Sequence, residues 1–501
     1  MLFLGIDAGT TGAKAALFDE RMALAGAGFR EYGILYSEPR RAEQDANEVW
    51  RTLKDVIRRA VGEKGKEVRA ISLSVQGDAV VPVDKSRKPL SLVQLGMDYR
   101  AEAEAQELEE RLGGYELFEM TGMRPHPLNS LVKMMWWVRH RPDISDKLWK
   151  FMTYSDYLLC MLGADEAVID LTMASRTMAM DINAMDWSKP ILRAAGVNAE
   201  WLSGPVPPGL AVGKVRPGLA GELGFSKESP PLLVSGGHDQ CCAALGAGVT
   251  KEGMALDSHG SAEVLSAALP HKRLDREMYE HGYPCYAFVV PERFFTFALN
   301  HTAGVLLKWY VENFCGADEN AAKKSGVSLY RYAIDRWGGK PTSLRVLPYF
   351  NGSGTPRNDR GARGLIAGLT LNTGRFEIAG AVLEALAFEL RLNRECMERS
   401  GIPIRSVRCA GGGAGSPIGL QLKADVLGVP VHTLKTREAA CAGAAVLAAA
   451  GAGAFASFED GASMAGIDRT FEPRGEYQRL YGEKYAEYEN LYRVQKEYLR
   501  F

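Results

Sequence analysis

The sequence predicts an α/β protein built as two related halves with a cleft between them. Three observations carry this. The chain has 501 residues, more than a single hydrophobic core supports, since cores stop growing at roughly 250–300 residues. Short apolar strands alternate with amphipathic helices along its length. A strand, acid, glycine turn and return strand at the N-terminus are partly restarted in the middle of the chain.

The elements follow in order. Residues 2–7 form an apolar strand, Gly9-Thr10-Thr11-Gly12 a tight turn, residues 13–19 a return strand, and 22–30 a third. From Asp45 to Val61, Val49, Leu53, Val56, Ile57 and Ala60 share one helical face. Strands at 68–75 and 79–83 follow, and helices alternate with loops over 99–163. The proline-rich stretch 205–217 crosses as a loop. Leu232–Ser235 is a strand ending at Gly236-Gly237-His238-Asp239-Gln240, followed by a small-residue helix over 241–248, with the hinge at 245–252. The pattern then restarts: Met254–Asp257 as strand, Gly260-Ser261 as turn, Glu263–Ala267 as return. A long helix spans 376–399, a strand 405–410 runs into Gly411-Gly412-Gly413-Ala414-Gly415-Ser416-Pro417, and helices follow at 418–427, 438–450 and the charged C-terminus. The halves are 1–248 and 249–501, and the final helix, 474–500, is expected to pack back on the first.

Composition excludes several classes. Sixty Lys+Arg against 61 Asp+Glu leave a net charge of -1, so no global field draws nucleic acid or a membrane surface. The eight cysteines show no metal-ligand spacing and no small-domain disulfide framework. They read as reduced and buried, which points to the cytoplasm. The start, Met1-Leu2-Phe3-Leu4-Gly5-Ile6-Asp7, lacks a basic region and reads as a strand rather than a signal peptide. No apolar run approaches a membrane span.

Glycine is abundant, 54 residues or about 11% against a usual ~7%, and its clusters mark the candidate sites. In Asp7-Ala8-Gly9-Thr10-Thr11-Gly12-Ala13-Lys14 the turn can point several N–H groups inward as an anion nest. Thr10 and Thr11 add donors, Lys14 adds charge, and Asp7 can hold a hydrated Mg2+; the alternative is an ordinary hairpin turn. Asp239, after a glycine pair at a strand end, can accept the proton of an attacking hydroxyl or merely cap a helix. The 411–416 run suits close approach by a nucleotide or tight strand–helix packing. No acid ends a following strand at the dinucleotide spacing, and no GxxxxGK[ST] occurs, which argues against an oxidoreductase and against a P-loop enzyme. Gln76-Gly77-Asp78 and Asp98-Tyr99-Arg100 offer polar groups at strand ends.

These segments, in this order, resemble the FGGY family of carbohydrate kinases, which includes xylulokinases and glycerol kinases and shares the actin/hexokinase-type (ribonuclease H-like) fold. The resemblance rests on Gly5-Ile6-Asp7-Ala8-Gly9-Thr10-Thr11, on residues 236–240, on Leu347-Pro348-Tyr349-Phe350-Asn351-Gly352, and on 411–417 with Gln421, Ala424-Asp425 and Leu427-Gly428; the last looks most like the xylulokinase branch. It implies two domains, each a mixed sheet flanked by helices. It implies Asp239 as catalytic base and Asp7 beside Mg2+. Thr10, Thr11 and Lys14 match the first phosphate loop, Gly260 and Ser261 the second, Gly304 and Lys308 a helix start near ATP, and Gly412, Gly413 and Ser416 the adenosine loop. Gln76, Gly77, Asp78, Asp98, Arg100, Asp239 and Gln240 fall on the sugar side. The implied reaction is ATP-dependent phosphorylation of a hydroxyl of a small sugar, a ketopentose such as xylulose first. Another ketose, a polyol or glycerol is the alternative, and an actin-like ATP-binding assembly or regulatory protein is the alternative of a different class. The implied partner is the small-molecule sugar, with no nucleic acid and no membrane, and with room for a homodimer. The chain departs from xylulokinases at Gly77-Asp78, where they commonly carry Met-His, and at Gly96, where many members carry Trp; both departures bear on the acceptor.

Overall fold

The structure is a computed structural model that describes residues 1–498. The N-terminal hairpin forms because two short, largely buried apolar strands are joined by a single glycine turn: Leu2–Ala8 pairs antiparallel with Gly12–Asp19, which pairs with Leu24–Glu31. On the other side Leu2–Ala8 pairs in parallel with Val68–Val75, which pairs in parallel with Leu232–His238. Ala211–Lys214 closes the edge antiparallel. Asp45 starts the first long helix, Ala46–Val61, by accepting from the Asn47 amide at 2.9 Å.

The second sheet repeats this order and direction. Gly253–His259 and Glu263–Leu269 form the hairpin, and Phe294–Asn300 adds the third antiparallel strand. Ile404–Ala410 and Val431–Leu434 continue in parallel, and Ile467–Phe471 closes antiparallel. One extra short strand, Tyr286–Ala287, extends the antiparallel edge. The weak echo in the sequence is thus a full topological repeat of two mixed sheets.

The small-residue helix expected at 438–450 forms as Ala439–Gly451, but it belongs to the first sheet in space. It packs on the helix Asp239–Gly246 and on the strands Leu2–Ala8 and Val68–Val75. Its run of alanines and glycines lets backbones approach closely. A Cβ on Gly5 would lie 1.8 Å from the Cys441 carbonyl oxygen, and one on Gly443 would lie 1.8 Å from that of Cys242. Backbone atoms cannot yield as a side-chain tip does, so Gly5→Val is expected to cost about 3 kcal/mol, at the upper end of overpacking effects. Urea denaturation with an unchanged m-value would measure it.

Three sequence expectations are corrected. The stretch 205–217, expected to cross as a loop, holds the edge strand Ala211–Lys214. The final helix, Gly475–Tyr498, packs on the helices Arg375–Arg399 and Pro417–Leu427 of the second half, not back on the first. Its buried Tyr481, Tyr485 and Tyr488 join that half's core; residues 499–500 of the expected helix lie outside the described residues. The strand at 232–235 runs on to His238, and the helix begins at Asp239, because Gly236 lies flush against the neighbouring strand, where its Cβ would meet Leu73 carbonyl oxygen at 1.7 Å. All eight cysteines are free and buried. Among the described residues no helix is long and apolar enough to cross a membrane.

Candidate active site

The two hairpin turns present the same chemistry. In the first, the Gly9 amide donates to Gly12 O at 3.0 Å. The turn carbonyls are held from the protein side: Tyr32 Oη (2.5 Å) and Gln76 Nε2 (3.2 Å) donate to Gly9 O, and Gln44 Nε2 donates to Thr10 O at 2.6 Å. Among the described residues nothing accepts from the amides of Thr10 and Thr11. In the second, the Gly260 amide donates to Ala262 O at 2.9 Å, while Gly260 O and Ser261 O accept from the amides of Gly304 and Ala303 at 3.1 and 3.0 Å. Each turn therefore keeps its carbonyls occupied and its amides open, the arrangement that attracts an anion. Gly304 must be glycine for this seat, since a Cβ there would lie 2.5 Å from Gly260 O.

Asp7 sits near the end of its strand, directly across from Lys14, and accepts from Ser74 Oγ at 2.7 Å. Burial pushes its carboxyl upward, and the Ser74 bond and the Lys14 charge only partly offset this. A carboxylate left short of compensation at a strand end suits a hydrated divalent cation. The Lys14 ammonium is 2.9 Å from Glu438, at the head of the helix Ala439–Gly451, so the first hairpin is tied to the second half of the chain.

Asp239 is the first residue of its helix. Among the described residues it accepts one hydrogen bond, from the adjacent Gln240 amide at 2.6 Å, while His238 occupies the cap position without a side-chain bond. The capping alternative is therefore not what the geometry shows. His238 Nε2 lies 3.2 Å from Asp239 Oδ1, its Nδ1 is 3.0 Å from Tyr286 Oη, and burial holds its ring well below the usual histidine range, hence neutral. Burial, reinforced by the charge of Asp7, pushes the Asp239 carboxyl up to about 7. A carboxyl so placed exchanges its proton readily at neutral pH.

On the sugar side the expected residues form two linked groups. Asp78, in a left-handed conformation at φ 66°, is ion-paired with buried Arg176. Gly77 lets the pair sit under His238: a Cβ there would lie 2.9 Å from His238 Nε2 and 3.5 Å from Arg176 Nε. Lys133, fully buried, donates to Asp78 O at 3.0 Å, and burial brings its ammonium down to about 8. Gly96 leaves room above Asp78, with its Cβ position 3.6 Å from the Asp78 Cβ. Asp98 and Arg100 instead bind each other. Arg100 donates to Asp98 Oδ1 and Oδ2 at 2.8 and 2.6 Å and to Glu43 Oε1 at 2.6 Å, with its guanidinium 5.1 Å over Trp136. Asp98 also accepts from the Ala42 amide at 2.9 Å. This buried triad fixes the loops beside Asp78. Gln76 bridges the first turn and Gln44, and among the described residues the buried Gln240 Oε1 has no hydrogen-bond partner.

A cavity of about 230 Å³ brings the remaining candidates together: Gly260, Gly304, Gly412, Gly413 and Ser416 line one side, and Leu307, Ile334, Leu383, Leu386 and Leu422 the other. Ser416 caps the helix Pro417–Leu427, its Oγ accepting from the Gly419 amide at 3.2 Å. Lys308 stands outside this lining, exposed, with Glu312 at 3.8 Å; Leu307 is that helix's contribution. Sequence reasoning missed Arg176, Lys133, Glu43 and Glu438, and it also missed His259 and Lys423 beside the cavity. Each lies in a helix or strand, or in Glu438's case just before one, whose local pattern is ordinary; only the chain's folding brings them to the site.

Two mixed sheets of one topology, each carrying a glycine turn with open amides, with an acid at the first turn and another at a helix start, define a two-domain α/β protein with related halves. The chain belongs to the FGGY family of carbohydrate kinases: the family's N-terminal domain matches residues 2–246 and its C-terminal domain residues 258–452. It is 29% identical to a xylulose kinase of Staphylococcus epidermidis, over 99% of this chain and 97% of that protein. It is 27% identical to a gluconokinase of Bacillus subtilis, over 92% and 90%. A solved xyloylose kinase from Brucella ovis superposes with a TM-score of 0.87 at 27% identity, covering 99% of each chain. The chain is accordingly a carbohydrate kinase of two α/β domains.

Proposed function

We propose that this kinase transfers the γ-phosphoryl group of Mg-ATP to a hydroxyl of a small sugar, a ketopentose such as xylulose first, with Asp239 as the general base. The position of Asp239 carries the reading: its carboxyl lies at a helix start, partly exposed and within the field of Asp7, Asp78 and Arg176, with a proton affinity matched to neutral pH. Asp239 takes the proton of the acceptor hydroxyl, whose oxygen attacks phosphorus as the bridging oxygen of the nucleotide leaves. The amides of Thr10 and Thr11 on one side, with those of Ser261 and Ala262 on the other, orient the phosphates; the Lys14 ammonium, already paired with Glu438, is not free to do so in this arrangement. Gly412, Gly413 and Ser416 receive the nucleoside against the leucine-lined wall. Asp7 would hold Mg2+ through water, and that ion, when bound, neutralises phosphate charge. Asp78, Gln76 and Gln240 face the acceptor, while Asp98 and Arg100 shape its pocket. Closure of the two halves excludes water that would otherwise be phosphorylated.

Xylulose and gluconate kinases both stand among the relatives, and Gly96 leaves room above Asp78, whereas the space beside Gly77 is taken by His238 and Arg176. The test is a coupled ADP-release assay over ketopentoses, ketohexoses, polyols, glycerol and gluconate. Turnover of xylulose or a related ketopentose with the highest kcat/KM supports the reading; preference for gluconate or glycerol replaces the acceptor, and ADP release indifferent to every acceptor removes the kinase assignment.

The pH profile is a second check. Asp239 acts as base only when deprotonated, so kcat/KM for the acceptor should rise with pH, reach half its maximum near the pKa of about 7 and level off above it. A profile flat from pH 6 to 8 would speak against Asp239 as the base.

A further inference from the structure

The second hairpin carries a buried charged cluster that the first lacks. Lys423, on the helix Pro417–Leu427, donates to Asp257 Oδ2 at 2.5 Å and to Glu263 Oε1 at 2.7 Å, and its Nζ lies 3.1 Å from His259 Nδ1. His259 Nδ1 is itself 2.5 Å from Glu263 Oε1, a contact that requires a proton between them. All four residues are buried. Asp257, His259 and Glu263 converge closely enough to hold a metal ion, but the Lys423 ammonium stands among them, so the group is an ionic clasp rather than a metal centre. Burial alone would raise the Glu263 carboxyl; Lys423 and His259 outweigh it and hold it down to about 2.

Such a cluster is expensive to desolvate, and among the described residues Asp257 Oδ1 and Glu263 Oε2 have no hydrogen-bond partner. What it does fix is the His259 ring. A Cβ on Gly413 would lie 2.3 Å from the ring's Cγ, and one on Gly411 would lie 2.6 Å from the His259 carbonyl oxygen. The glycine loop is therefore wrapped over His259, and His259 and Lys423 line the same cavity as Gly260, Gly304 and Ser416.

We propose that His259, oriented by Glu263 and Lys423, is a positioning residue that docks the 411–415 glycine loop onto the second hairpin turn and thereby sets nucleotide affinity. This rests on the reading of the cavity as the nucleotide site. His259 is wedged where two loops from different strands meet, so its loss lets them drift relative to each other by a fraction of the ring's thickness.

The experiment pairs equilibrium titration of a fluorescent ADP analogue with steady-state kinetics. His259→Ala should weaken analogue binding and raise KM for ATP about tenfold, while KM for the acceptor stays within about twofold, the selectivity expected when a remote group misplaces one substrate. Glu263→Gln keeps the ring and its volume and should move both nucleotide readouts the same way by about threefold; it carries the test if His259→Ala does not fold. If the wild-type protein does not bind the analogue, the nucleotide reading of the cavity fails and the inference falls with it. If the wild type binds but both variants bind equally well and only lose thermal stability, or if both substrates' KM values rise together, the positioning role alone is overturned.

Discussion

Asp239→Asn is expected to lower kcat by about 10³-fold, the scale of a lost general base, while a fluorescent ADP analogue still binds with near wild-type affinity. Asparagine keeps the shape and can still accept from the Gln240 amide, the one hydrogen bond Asp239 accepts among the described residues besides its contact with His238. The same variant should be more stable than the wild type at neutral pH. The sign follows from the raised pKa: the folded carboxyl holds its proton up to about 7, against an ordinary 3.8. The unfolded chain therefore releases that proton first, and the folded state loses stability as pH rises from about 4 to 7. Asparagine has no such proton to lose. The gain in Tm should be largest above pH 7 and vanish below pH 4. A variant inactive because it is misfolded would lose stability and nucleotide binding together; retained turnover would remove Asp239 from its role.

Arg176→Met is the second large effect, and it acts on stability and on the acceptor side at once. Arg176 is buried, paired with Asp78, and stacked over Tyr286 and Phe297 with centroid distances of 5.5 and 5.4 Å. Among the described residues one Asp78 oxygen has no hydrogen-bond partner, so removing the guanidinium leaves the buried carboxylate without its ion-pair partner, at a cost of about 3–5 kcal/mol. Asp78→Asn together with Arg176→Met should recover most of that loss, since a buried pair removed whole costs far less than one broken. Chemical denaturation of the three variants measures the cycle. Kinetics supply an independent reading. Burial dominates the upward shift of Asp239, but the charge of Arg176 lowers its pKa and that of Asp78 raises it. The rising limb of the pH–rate profile should therefore move to higher pH in Arg176→Met and return toward its original position in the double variant. No movement would mean that the pair lies outside the reacting centre's field.

The two hairpins were legible because glycine turns between short apolar strands have a local signature, and so was the long helix with its apolar stripe, found at Arg375–Arg399. The glycine loop at 411–415 was legible for the same reason. The final helix was legible as a helix but not in its docking, because its aromatic residues fit any large core; the tyrosines settle against Phe388 of the Arg375–Arg399 helix. Nothing local told the helix Ala439–Gly451 that it would cover the sheet of the other half. That placement follows from surface shape: Gly5 and Gly443 remove the side chains that would hold the backbones apart.

The sequence by itself carried the two glycine turns, the acid at 239 and the glycine loop, because each depends on backbone conformations that particular residues impose over a few positions, and the order of these segments carried the resemblance that gave the family. Only the tertiary structure decided how charges are shared: that Lys14 answers to Glu438, that Asp98 and Arg100 with Glu43 form a closed triad, that Arg176 stands under Asp78, and that Lys423 binds the second hairpin. Ion pairs join residues far apart along the chain, and whether a charge is free for a ligand depends on what folding buries beside it.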